Sequence, residues 1–143
     1  MNKLIKTLIV IILFTSQLSS QNVLEFNIPI NKNVSGTLLK SEKELNSKIV
    51  ILIGGSGPID RDGNQSFMKT DMLKKLAFSL SKKGLATFRY DKRIVNQIIS
   101  GNIDKNMMFD DFVDDAVSVI NYFKSKYKTI VTVSYTHLTL PTI

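Results

Sequence analysis

Apolar and polar residues largely alternate over Val23–Ile30 (VLEFNIPI), and apolar positions resume over Val34–Leu39 after an Asn31-Lys32-Asn33 turn. Period-two patterning split by a turn predicts two paired strands, a hairpin or meander. Ile49–Ile53 is an unbroken apolar run closed by Gly54-Gly55, as expected of a strand covered on both faces in a parallel sheet. Thr70–Lys83 has helical spacing: Met72, Leu73, Leu76, Ala77 and Leu80 share one face, and Gly84 is placed to stop the helix. Leu85–Tyr90 predicts the next strand. Phe109–Lys126 is the clearest helix, with Phe109, Phe112, Val113, Ala116, Val117 and Ile120 on one stripe. Asp110, Asp111, Asp114 and Asp115 crowd its start, where negative charge suits the helix dipole. Thr129–Val133 begins another strand. Strands separated by helices predict crossover connections and an α/β layered fold.

Residues 1–20 break this pattern. Lys3 and Lys6 precede an apolar run, Leu8–Phe14, and a short polar stretch ends in two serines. That is the layout of a secretory signal. The alternative is an uncut membrane anchor, but the run is well short of the ~20 residues that span a bilayer. Cleavage is expected after Ser20, giving an exported protein, periplasmic or extracellular, that meets the membrane only during export. The remaining residues, 21–132, suffice for one domain.

The formal charge of the 143-residue chain is +7, from 19 basic and 12 acidic side chains. Removing the leader's two lysines leaves 17 against 12, or +5. The lysines are scattered with no aromatic–basic stripe, so the charge reads as solubility and no nucleic-acid partner is expected. Cysteine is absent. That excludes disulfides, thiol catalysis, cysteine–zinc sites and a lipidated cysteine at the end of the leader.

The most distinctive string is Gly54-Gly55-Ser56-Gly57-Pro58, at the exit of the buried strand. Such a loop falls at the carboxyl edge of a parallel sheet, where α/β sites form. A phosphate loop needs a Gly-Lys-Ser/Thr ending before a helix, which is missing. A dinucleotide loop needs a third glycine where Asp60 stands. A nucleophile elbow around Ser56 needs glycine where Pro58 stands, so Ser56 is not a nucleophile. Two readings stay open: backbone N–H groups offered to an oxyanion, or a structural turn. Asp60-Arg61-Asp62-Gly63-Asn64 has the look of a calcium loop, but its glycine is fourth instead of sixth and its twelfth position falls at a helix start. A polar turn held by Asx hydrogen bonds is the better reading, and no metal or cofactor is expected.

Together these strings resemble one family. Ile53–Pro58 followed by Asp60–Asn64 looks like the oxyanion loop of secreted bacterial α/β-hydrolases, the serine-aminopeptidase-like and esterase-like group. Phe88-Arg89-Tyr90-Asp91-Lys92-Arg93 is similar to the strand and turn that follow in that group. Phe109–Ala116 is similar to its helix before the nucleophile strand. Ile94 departs from the pattern, standing where the family usually has glycine. The resemblance implies an α/β-hydrolase fold, here truncated, with antiparallel N-terminal strands leading into a parallel three-layer sheet. It implies hydrolysis of ester, thioester or amide bonds in a small acyl or peptide substrate, through a serine, a histidine and an acid. On this carry-over the Ser56 N–H, with Gly55 shaping the turn, supplies half of an oxyanion hole. Gly54, Gly57, Asp60, Arg61, Asp62, Tyr90, Asp91 and Arg93 shape the rim.

The family would place Gly-x-Ser-x-Gly after the strand starting at Thr129. Here Val133-Ser134-Tyr135-Thr136-His137-Leu138-Thr139-Leu140-Pro141-Thr142 follows, and no glycine occurs after Gly101. Ser134 and His137 lie three apart on one short segment, where their side chains do not converge as nucleophile and base. The string resembles a sequencing adaptor translated in one frame, so residues 133–143 are expected to be a non-native tail. Nucleophile, acid and base are then absent, and the chain alone is expected to be an inactive N-terminal fragment of an exported serine hydrolase. The alternative is a short exported non-catalytic α/β module that binds an anion or another ligand. A flavodoxin-like or receiver-like protein fits the layering but conflicts with the leader and with two successive strands at the start.

Overall fold

The computed structural model describes residues 22–42 and 47–134. The expected leader, residues 1–20, lies outside them, as do residues 135–143 of the expected tail. These residues form five strands and three helices, in the order β1 (Val23–Pro29), β2 (Ser35–Ser41), β3 (Lys48–Ile53), α1 (Met72–Ser81), β4 (Ala86–Tyr90), α2 (Arg93–Ser100), α3 (Phe109–Lys124) and β5 (Thr129–Ser134). The strands form one mixed sheet in the order β1-β2-β4-β3-β5. The β1–β2 and β2–β4 pairs are antiparallel, whereas β3 pairs parallel with β4 and with β5. The chain is therefore of the α/β class.

The unbroken apolar run of β3 explains the layering. Successive strand residues point to opposite faces. Ile49 and Ile51 join Leu38, Phe88, Val119 and Phe123 in a core beneath α3. Val50 and Leu52 join Leu39, Leu73 and Ala77 in a second core beneath α1. A helix thus covers each face, which makes three layers. Each buried aliphatic side chain contributes roughly 1.5–3 kcal/mol, so β3, sealed on both faces, anchors the sheet. The β1–β2 turn is closed by Asn31, whose Oδ1 accepts from the Asn33 and Val34 N–H groups at 2.8 and 3.0 Å.

Three features depart from the sequence pattern. Helix α2 begins at Arg93 and carries Ile94, in a stretch where the pattern predicts no helix; Val95 is its buried, inward residue. Helix α3 buries Asp115, Val119 and Phe123, while Phe109, Val113 and Val117 of the apolar stripe stay exposed. Its inward face is rotated because Asp115 has a guanidinium partner on α2. Helix α1 starts at Met72, since the preceding residues hold the turn described below. Among the described residues no helix is long and apolar enough to cross a membrane.

Candidate functional site

The chain leaves β3 toward α1 on one face and leaves β4 toward α2 and α3 on the other. Diverging connections from neighbouring parallel strands open a crevice at their carboxyl ends. A cleft of about 640 Å³ lies there, within the roughly 300–1,000 Å³ of small-molecule sites. Its walls are the Gly54–Pro58 loop, Tyr90, Lys92 and Ile94 after β4, the first turns of α3 (Phe109, Phe112, Val113, Asp115, Ala116), and Ser134 at the end of β5. Apolar side chains predominate.

The glycine loop is shaped by its own residues. Gly57 has φ 83°, a left-handed conformation that glycine adopts without strain. Its carbonyl accepts from the Ile59 N–H at 3.0 Å, and Ile59 is buried, so the far end of the loop is pinned. Among the described residues nothing accepts from the N–H groups of Gly55, Ser56 or Gly57. Lys92, which follows β4 beside β3, holds the loop as well: its Nζ donates to Gly55 O and Gly57 O. Burial lowers the Lys92 pKa below the ordinary lysine value.

The second string folds into a polar turn. Asp60 Oδ1 accepts from the Asp62 and Asn64 N–H groups at 2.9 and 2.8 Å, and the Asp60 N–H donates to Asn64 O at 3.0 Å. Asn64 Oδ1 accepts from the Thr70 and Asp71 N–H groups. Gly63, at φ 91°, brings the chain so close to α1 that a Cβ would lie 3.0 Å from the Leu73 nitrogen. In return, Asp62 O accepts from the Leu73 and Lys74 N–H groups at 3.1 and 3.3 Å, satisfying two orphan donors of the helix start. The carboxylate oxygen of Asp60 is thus engaged with its own turn. Among the described residues no cluster of three metal-ligating side chains occurs.

Three arginines, each paired with a carboxylate, brace the cleft from behind. Arg61 Nε donates to Asp91 Oδ2 at 2.6 Å, and the Arg61 N–H donates to Asp91 Oδ1 at 2.7 Å. The same guanidinium reaches Asn27, Thr37 and Ser35 on β1 and β2. Buried Arg89 donates from Nε to Asp62 Oδ1 at 2.8 Å. Arg93 donates from Nε and Nη2 to both Asp115 oxygens at 2.7 Å, tying α2 to α3. Hydrogen bonding to Asp115 raises the Arg93 pKa further. Tyr90 is 3% exposed, and burial, then the Asp115 carboxylate, pushes its phenol up to about 12.

Of the expected site residues, Gly54, Gly55, Ser56, Gly57 and Tyr90 line the cleft together. Asp60, Arg61, Asp62, Asp91 and Arg93 are not among the lining residues; Asp60 acts through its turn and the other four through the pairs above. Lys92 and the α3 side chains Phe109, Phe112 and Val113 were not marked as site residues in the sequence. The signal for Lys92 was its place just past the end of a strand, within a charged run whose other members are paired. Compared with protein-family models and with curated proteins, the chain matches none.

Proposed function

We propose that this chain is the N-terminal part of an exported serine hydrolase acting on ester, thioester or amide bonds, and that it supplies one side of the oxyanion hole. One observation carries the reading. The unengaged Ser56 N–H sits on the loop leaving β3, and β5 ends beside it, with Ile53 in register with Ser134. In an α/β-hydrolase the nucleophile turns sharply from a strand into a helix, and its oxyanion takes one N–H from the residue after the nucleophile and one from the loop after the third strand. A nucleophile following β5 would stand across the cleft from Ser56. The apolar walls suit the acyl part of a substrate. The basic, then apolar, leader supports export. The chain's own residues would hold and polarise a carbonyl oxygen; attack, and proton transfer to and from the nucleophile, would fall to residues of the parent that this sequence does not contain.

Sequencing the locus past the codons for Lys126–Ile143 tests this. The expected result is a strand running into Gly-x-Ser-x-Gly, with an acid and a histidine downstream, and an extended protein that hydrolyses p-nitrophenyl butyrate and is labelled by a fluorophosphonate. A stop codon directly after Ile143 in an uncontaminated read would sink it. The second reading, a non-catalytic anion-binding module, is favoured by the same free loop amides and needs no further residues.

A further inference from the structure

We propose that Lys92 is the positioning residue of the glycine loop: its ammonium fixes the peptide plane that presents the Ser56 N–H to an oxyanion. This rests on the oxyanion-loop reading above. Lys92 Nζ donates to the carbonyl oxygens of Gly55 and Gly57. The described chain has no cis peptide bond. In a trans peptide the C=O and the following N–H point in opposite directions. Drawing Gly55 O onto Lys92 therefore turns the Ser56 N–H away from the cation. At Gly57 the same pull meets Pro58, which has no N–H to aim. The clamp thus orients a single donor.

The loop needs this help. Three of its five residues are glycine, and a glycine backbone has the widest choice of conformations. The Ile59 N–H pins the carbonyl at Gly57, but in the described residues only Lys92 is bonded to the carbonyl of Gly55. Lys92 is itself well placed. It is the residue before the first turn of α2, and both its neighbours are committed elsewhere, Asp91 to Arg61 and Arg93 to Asp111 and Asp115. No carboxylate among the described residues draws its ammonium off the loop.

The test is a titration of the 143-residue chain with sodium hexanoate, followed by nitrogen–proton correlation spectra. The carboxylate stands in for an oxyanion and the alkyl chain for an acyl group; hexanol is the uncharged control. In the wild type, hexanoate should shift the Ser56 amide saturably and hexanol should not. Lys92→Met should weaken hexanoate by about tenfold or more. Lys92→Arg, which donates to the same carbonyls, should stay within about threefold of the wild type. Equal affinity in the wild type and Lys92→Met overturns the role of Lys92 and leaves the oxyanion-loop reading standing. No Ser56 shift in the wild type overturns both. A second readout does not depend on the methionine variant folding. A through-hydrogen-bond correlation between Lys92 Nζ and the Gly55 carbonyl carbon is expected in the wild type, and its absence overturns the clamp.

Discussion

At the scale of single residues, two glycines and one tyrosine separate backbone effects from side-chain effects. A Cβ on Gly57 meets nothing within 4 Å, whereas one on Gly63 meets the Leu73 nitrogen at 3.0 Å. Both residues have positive φ. Gly57→Ala should therefore lose only the left-handed penalty, about 1–2 kcal/mol, and Gly63→Ala should lose more because the α1 start must also shift. Urea unfolding of the two variants side by side checks this, and equal losses would contradict it. Tyr90 makes a prediction about alkaline stability. Its phenol is pushed up to about 12 in the folded chain and titrates near about 10 when unfolded. Folding thus favours the protonated phenol. That stability is full below the unfolded value and is lost as pH rises toward the folded one. The loss across this window is on the order of 2–3 kcal/mol, and Tyr90→Phe should remove it. Unfolding midpoints measured across alkaline pH report it directly; an unchanged slope in Tyr90→Phe would assign the effect to another group.

At the scale of elements, the clasp between α2 and α3 is the sharpest case. Asp115 is buried and takes both its hydrogen bonds from Arg93. Asp115→Ala leaves a largely buried guanidinium with Asp111 alone and should destabilise by about 3–5 kcal/mol, while the double change Arg93→Met with Asp115→Leu should recover most of that loss. A denaturant double-mutant cycle measures the coupling. A double variant as unstable as Asp115→Ala would show that the pair does more than compensate its own burial. This clasp also explains what the sequence hid. The β3 run was legible because both faces need apolar cover. Helix α3 was legible as a helix, yet its facing was not: periodicity marks Phe109, Val113 and Val117 as inward, but it cannot see that Asp115 has a partner 22 residues earlier. Helix α2 went unread because it has only eight residues and no side-chain cap announces its start. In the site, the glycine loop was legible from its composition. Lys92 was not, since its contacts span 35 and 37 residues.

At the scale of the whole molecule, the two edges of the sheet differ. β1 carries Glu25 and ends at Pro29, both of which discourage pairing with another chain. β5 reads TIVTVS, with no charge and no proline, and it is the other edge strand. Val131 and Val133 are exposed on it. The chain should associate in a concentration-dependent way through β5, and Val131→Lys with Val133→Lys should keep it monomeric. Size-exclusion chromatography over a dilution series decides, and identical profiles for both proteins would rule out this edge. One further consequence follows from the carbonyl of Asp62, which occupies the Leu73 and Lys74 amides at the start of α1. Many α/β proteins seat phosphate groups on the helix start that follows a glycine loop. Here that seat is filled by the chain itself. A phosphate group arriving at the start of α1 would therefore find the Leu73 and Lys74 amides already taken.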